Sequence, residues 1–139
     1  MNEVFAQLIT PIRTPPLTSF FIFMTGYGMA LFLVILSIYL LQKREHRLFT
    51  TYLISTVVAW GISEIFKVWF QIPRPISEVY TTLENFSFPS VHATVAFALW
   101  PLMNYFSPRT KWTMRFILLL FPFSRLYLGV HFLTDILAG

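Results

Sequence analysis

The sequence has no cysteine and very little charge. Without cysteine there is no disulfide, no thiolate metal site and no cysteine nucleophile, while the compartment stays open. Charged residues make up 12% of the 139 residues, against about 25% in an average soluble domain. A soluble fold of this size must cover a large surface with polar groups, and this composition disfavours it. Hydrophobic residues reach 56%, which excludes a disordered chain. The length allows one domain, residues 1–139. A mean hydropathy of +0.66 and 16 Phe predict a membrane protein with several spans. The N-terminus lacks a basic region leading into a short apolar core and cleavage site, so the first apolar run reads as an uncleaved span.

Residues 1–18 read as an interfacial lead-in. Val4, Phe5, Leu8 and Ile9 fall at helical spacing, and Pro11, Pro15 and Pro16 stop its continuation. From Phe20 to Leu41 the chain is apolar and uncharged, long enough to cross about 30 Å of hydrocarbon. A second apolar stretch runs from about Leu48 to Phe70 and ends at Pro73 and Pro75. After a polar connection holding Glu78 and Glu84, a third span is expected from Pro89 to Phe106. A fourth is expected from about Trp112 to Leu128, kinked at Pro122. A fifth apolar segment begins near Val130. From His131 it has nine residues, against about 20 for a full crossing, so it is expected to be cut short. The expected fold is an all-α transmembrane bundle of about five spans, the last incomplete, with an N-terminal interfacial helix.

Basic residues set the orientation. Lys43, Arg44 and Arg47 lie in one connection, and Arg109, Lys111 and Arg115 lie in another two spans later, so both face the same side. The positive-inside rule makes that side cytoplasmic. Lys67, Arg74 and Arg125 then fall at the outer side, and Arg13 is left unassigned. The net charge of +4 thus reads as orientation plus a site, not as a nucleic-acid surface.

Ionisable groups at membrane depth are costly and usually functional. Lys67, Arg74, His92, Arg125, His131 and Asp135 all map near span ends on one side, from four separate spans. Singly, each has an ordinary structural explanation: a snorkelling lysine, an interfacial arginine, a satisfied histidine, a structural His–Asp pair. Their convergence does not. Lys67 and Arg74 are two helical turns apart, Arg125 offers a planar fork for phosphate oxygens, and Ser90 offers a hydroxyl. His92 opens the third span, where free N–H groups favour an anion. His131 and Asp135 are one turn apart, so the carboxylate can hold one ring nitrogen and leave the other free to attack. Glu64, one turn before Lys67, is placed to pair with it.

These residues carry a family resemblance. The spacing Lys67-x6-Arg74-Pro75, the run Pro89-Ser90-Val91-His92 and the pattern Ser124-Arg125-x5-His131-x3-Asp135 resemble the type 2 phosphatidic acid phosphatase superfamily, which includes vanadium haloperoxidases. With roughly 5% usage per residue, the ten matched positions arise by chance at about 10⁻⁹ even with free spacing between the three parts. The resemblance implies hydrolysis of a lipid phosphate or diphosphate without a metal or other cofactor. It implies His131 as the nucleophile, Asp135 as its orienting group and His92 as the acid for the leaving oxygen. Lys67, Arg74, Ser90, Arg125 and the backbone at Val91 are implied to cradle the phosphate.

Val91 stands where the family has glycine. If that turn needs a positive φ, a β-branched residue there is strained. The expected partners are a lipid phosphate and the bilayer, with no nucleic acid and an undetermined oligomeric state. The expected location is a bacterial inner membrane with the site on the outer face. Undecaprenyl diphosphate is favoured as substrate, with phosphatidic acid and phosphatidylglycerol phosphate as alternatives. A lipid phosphotransferase and a non-catalytic anionic-lipid binder are the rival functions.

Overall fold

The structure, a computed structural model, describes residues 9–75 and 86–139. Among these residues all regular structure is helical. The expectations for Val4, Phe5, Leu8, Glu78 and Glu84 lie outside the described residues.

Helix α1 runs over Pro15–Gln42. Pro15 and Pro16 open it rather than stop it, because a proline in the first turn has no helical hydrogen bond to lose and its φ is already set. The first span therefore starts five residues before the expected Phe20. One segment of α1, Met24–Gly28, winds as π-helix. Helix α2 covers His46–Phe70 and is capped by Gln71 in the left-handed region (φ 49°), whose N–H returns to Lys67 O. Both helices are long and apolar enough to span a bilayer, and only 28% and 17% of their most apolar windows are buried in the fold. Val34 and Ile35 on α1, and Val57, Val68 and Trp69 on α2, stand exposed. Apolar faces of that extent suit contact with lipid.

The third expected span is broken. Helix α3 covers Val91–Leu99, and a 3₁₀ turn over Pro101–Tyr105 follows. Pro101 has no N–H to continue the ladder, so the chain tightens through Trp100 N–H to Phe97 O and Met103 N–H to Trp100 O. The two pieces extend only about 24 Å. Helix α4, Pro108–Tyr127, runs through Pro122 without interruption. Helix α5 is short, Leu133–Ala138.

Helix α3 is the centre of the bundle and packs on α2, α4 and α5. One core joins Leu36, Leu40 and Tyr52 to Leu99, Met103, Leu118 and Phe121. A second joins Phe21 and Ala93 to Leu126, Tyr127, Val130 and Ile136. The α1–α2 and α3–α4 turns lie side by side, with the Tyr39 and Phe106 rings 5.8 Å apart. The two basic clusters sit there: Lys43 and Arg44 on the first turn, Arg47 at the start of α2, and Arg109, Lys111 and Arg115 on the first turns of α4. The C-terminal ends of α2 and α4 and the N-terminus of α3 meet at the opposite end.

Candidate active site

The end of α4 builds the site's sharpest turn. Gly129 takes φ 68°. Its N–H donates to Leu126 O, and Val130 N–H donates to Arg125 O, at 3.0 and 3.1 Å. This paired bonding closes a helix on a left-handed residue, which glycine adopts without steric cost. The chain reverses within three residues and brings His131 back beside Arg125, both buried. Sequence reasoning missed Gly129, although a glycine just past the last apolar turn is the ordinary signal for such a cap.

Asp135 then fixes His131. One carboxylate oxygen, Oδ2, accepts from Phe132 N–H at 2.8 Å and lies 3.2 Å from His131 Nδ1. The first bond holds the start of α5, as the acidic half of a capping box does. On the other side of the ring, Nε2 is 2.8 Å from Arg74 Nη1. A guanidinium can only donate and a carboxylate can only accept. The imidazole therefore carries its hydrogen on Nδ1, toward Asp135, and keeps a lone pair on Nε2.

Arg74 reaches this point from the connection after α2, and also donates to Val130 O at 2.9 Å. Burial holds its guanidinium below the ordinary arginine value, partly offset by the carboxylates of Asp135 and Glu64. Ser87 holds the connection in place. Its N–H and hydroxyl both reach Ile72 O, and the hydroxyl also reaches Pro73 O. Ser87 is fully buried, and nothing in its sequence neighbourhood marks it.

Lys67 comes from the last turn of α2. It is buried and pairs with Glu64 at 2.7 Å, as the spacing predicts. Ser90 sits at the N-cap of α3, fully buried, with its N–H on Asp135 O and, among the described residues, no hydrogen-bond partner for its hydroxyl. The side chain of Ser90 does not cap its own helix, so the first-turn N–H groups stay available to an anion. Val91 is the first residue of that helix. Among the described residues only Arg44, Gln71 and Gly129 have positive φ. The strain expected at Val91 is therefore absent: the position is helical, and a β-branched side chain is tolerated there.

His92, one residue further, is held from the opposite wall. Its Nε2 lies 3.2 Å from Thr25 O, in the π segment of α1. A carbonyl only accepts, so Nε2 carries hydrogen. Thr25 Oγ1 also meets Ser124 Oγ at 2.7 Å, and Ser124 gives its own hydrogen to Phe121 O. Thr25 is thus the donor, and it ties His92 to the residue before Arg125. The positive charges of Arg125 and Lys67 both act on His92. Arg13, unassigned in the sequence, donates to Tyr127 O and pins the lead-in to the end of α4.

All eight residues singled out from sequence thus stand on the elements that meet at one end of the bundle: α2 and its exit, the start of α3, the end of α4 and the turn into α5. Among the described residues no group of three or more His, Asp or Glu is arranged to hold a metal.

Residues 47–139 match the family model of the PAP2 superfamily. The undecaprenyl-diphosphatase of Sulfolobus acidocaldarius is 29% identical over 99% of this chain and 71% of its own length. The undecaprenyl-diphosphatase BcrC of Bacillus subtilis is 30% identical over 88% of this chain and 67% of its own. Phosphatidylglycerophosphatase B of the same bacterium is 34% identical, over 56% of this chain and 44% of its own. Two crystal structures share the fold. The transmembrane PAP2-type phosphatidylglycerolphosphate phosphatase of Bacillus subtilis has TM-score 0.72 and 24% identity, covering 99% of this chain and 76% of that one. Aquifex aeolicus LpxE has TM-score 0.81 and 22% identity, covering 98% and 86%. With the residues of the three motifs now placed at one end of the bundle, the chain belongs to the PAP2 superfamily and is a lipid phosphatase of that family.

Proposed function

We propose that this protein hydrolyses a lipid phosphate or diphosphate at the outer face of a bacterial inner membrane through a phosphohistidine on His131. The observation that carries the reading is the state of that ring: Nδ1–H toward Asp135, and a lone pair on Nε2 beside the Arg74 guanidinium. In the first step Nε2 forms a bond to phosphorus as the bond from phosphorus to the leaving oxygen breaks. His92, protonated on both ring nitrogens for this step, gives that oxygen its Nδ1 proton while its Nε2–H stays on Thr25 O, and Asp135 stabilises the positive imidazole of His131. In the second step His92 takes a proton from water, the water oxygen bonds phosphorus, and the P–N bond breaks. Inorganic phosphate leaves and both histidines return to their starting state.

Lys67, Arg74, Ser90, Arg125 and the N–H groups opening α3 at Val91 bind the equatorial oxygens, where charge builds up in the transition state. No cofactor enters this scheme. Undecaprenyl diphosphate is the favoured substrate, supported by two relatives of that activity. Phosphatidylglycerol phosphate is the second reading, supported by the third relative, and phosphatidic acid is a further candidate.

The whole chain acts as one domain. The five-span reading keeps α1 and α2 as full crossings and α3 with its 3₁₀ turn, α4 and α5 as the shorter passes packed on them. The helical φ at Val91 removes one argument for a non-catalytic lipid binder.

The test is phosphate release in detergent from undecaprenyl diphosphate, phosphatidic acid and phosphatidylglycerol phosphate, for wild type and His131→Ala. Release is expected to fall by at least about 10³-fold in the variant. Folded wild-type protein that releases no phosphate from any of the three would sink the reading. Phosphate that appears only on an added lipid alcohol would turn it into phosphotransfer.

A further inference from the structure

Beside the polar cluster lies an apolar cavity of about 320 Å³. Its walls come from the π segment and following turns of α1, the middle of α2 and the first turns of α3. Met29, Leu33, Val91 and Val95 form its depth, and Gly26 and Trp60 its exposed rim. His92 also lines it, so one imidazole belongs both to this cavity and to the phosphate cluster. A group leaving from phosphorus at His131, protonated by His92, is delivered to the mouth of the cavity.

The lining distinguishes between kinds of lipid. It carries two hydroxyls, Thr25 and Thr56. Thr25 gives its single hydrogen to Ser124, and Thr56 gives its own to Tyr52 O. The Nε2 hydrogen of His92 is on Thr25 O. A glycerolipid carries ester carbonyls within a few atoms of its phosphate. In the depth of this cavity, away from the Trp60 indole N–H at the exposed rim, those carbonyls would leave water without a donor to receive them, at about 1–3 kcal/mol each. A chain that is hydrocarbon from its first carbon meets no such penalty. The volume is at the small end of ligand sites, which suits a short stretch of one chain, with the remainder passing the rim between Gly26 and Trp60 into lipid.

We infer that this cavity binds the phosphate-proximal segment of a single hydrocarbon chain, and so selects prenyl or alkyl phosphates over diacylglycerol phosphates. The inference rests on the phosphatase reading and deepens it.

Gly26 provides the test. A Cβ added there meets nothing within 4 Å, so a larger side chain is accommodated without clash at a position on the cavity's rim, and replacing glycine within a helix favours folding. Gly26→Leu is assayed on farnesyl diphosphate, isopentenyl diphosphate and dioctanoyl phosphatidic acid. Ala30→Leu, also on the lining, is the second variant, and thermal melting controls for the fold. Wild type is expected to prefer farnesyl diphosphate to the phosphatidic acid by about tenfold or more in kcat/KM. Both variants are expected to lose about tenfold on farnesyl diphosphate and little on the five-carbon diphosphate. An unchanged rate on farnesyl diphosphate, an equal loss on the short and long diphosphates, or a wild-type preference for the diacyl lipid overturns the inference.

If wild type turns over none of these, the phosphatase reading fails, and the cavity is judged by binding alone. A bromine-labelled dodecyl phosphate is expected to quench Trp60, identified by comparison with Trp60→Phe, in wild type but not in Gly26→Leu. No quenching of Trp60 in wild type overturns the inference by itself.

Discussion

At the scale of single residues, the site depends on which atom gives and which receives. Asp135 Oδ2 serves both the His131 ring and the Phe132 backbone. Asp135→Asn can still accept both hydrogens through its amide oxygen, but it loses the negative charge that favours a positive imidazole. The expected result is a fall of about 10²–10⁴ in kcat with KM nearly unchanged, measured by steady-state phosphate release. Thr25 acts one step back. Thr25→Val keeps the carbonyl that meets His92 but removes the hydrogen given to Ser124. A drop of about tenfold in kcat without a KM change is expected, with recovery in Thr25→Ser. If Thr25→Val and wild type have equal kcat, this positioning role is wrong. Gly129→Ala forces a Cβ into the left-handed region at φ 68°, at a cost of about 1–2 kcal/mol. A lower melting temperature in detergent and weaker turnover are expected together, because the same turn carries His131.

At the scale of elements, the sequence was informative where chemistry and periodicity coincide. The costly ionisable groups of α2, α3 and α4 can be found from hydropathy, and their spacing predicts the end of the bundle at which they meet. The pieces that hold them were not legible. Ser87 clamps the Arg74 connection through carbonyls fifteen and fourteen residues earlier in the chain, a partnership with no local pattern. The π segment is invisible in an apolar run, because α- and π-turns need the same residues; only its contact with His92 gives it meaning. Pro15 and Pro16, expected only to stop the lead-in, also open α1, because a proline that cannot continue one helix suits the first turn of the next. Pro101, in contrast, splits a stretch that composition presents as continuous. The Ser87 clamp gives this scale its own prediction. Ser87→Ala frees the Arg74 connection and is expected to weaken inhibition by orthovanadate, which mimics the five-coordinate phosphorus of the proposed transition state, about fivefold, with a smaller effect on the melting temperature. Unchanged inhibition would make Ser87 a packing residue only.

At the scale of the whole molecule, the fold separates two ends. The basic turns of Lys43 and Arg109 lie at one, and the candidate site at the other, separated by a 25-residue α2 that extends about 37 Å. That is enough for the bilayer to lie between them. At the basic end Arg115 lies against the rings of Trp100 and Trp112, 4.9 and 5.1 Å from their centres, an arrangement that suits the membrane–water boundary, where amphipathic side chains collect. The proposed outward orientation rests on the positive-inside rule and can be measured directly, because the chain has no cysteine of its own. Lys43→Cys and Arg109→Cys mark the basic end, and Thr134→Cys, exposed on α5, marks the site end. With a membrane-impermeant maleimide on intact bacterial cells stripped of their outer membrane, Thr134→Cys is expected to label at once. The other two are expected to label only after permeabilisation. The reverse pattern would place the site in the cytoplasm and would change the leaflet from which its lipid phosphate is drawn.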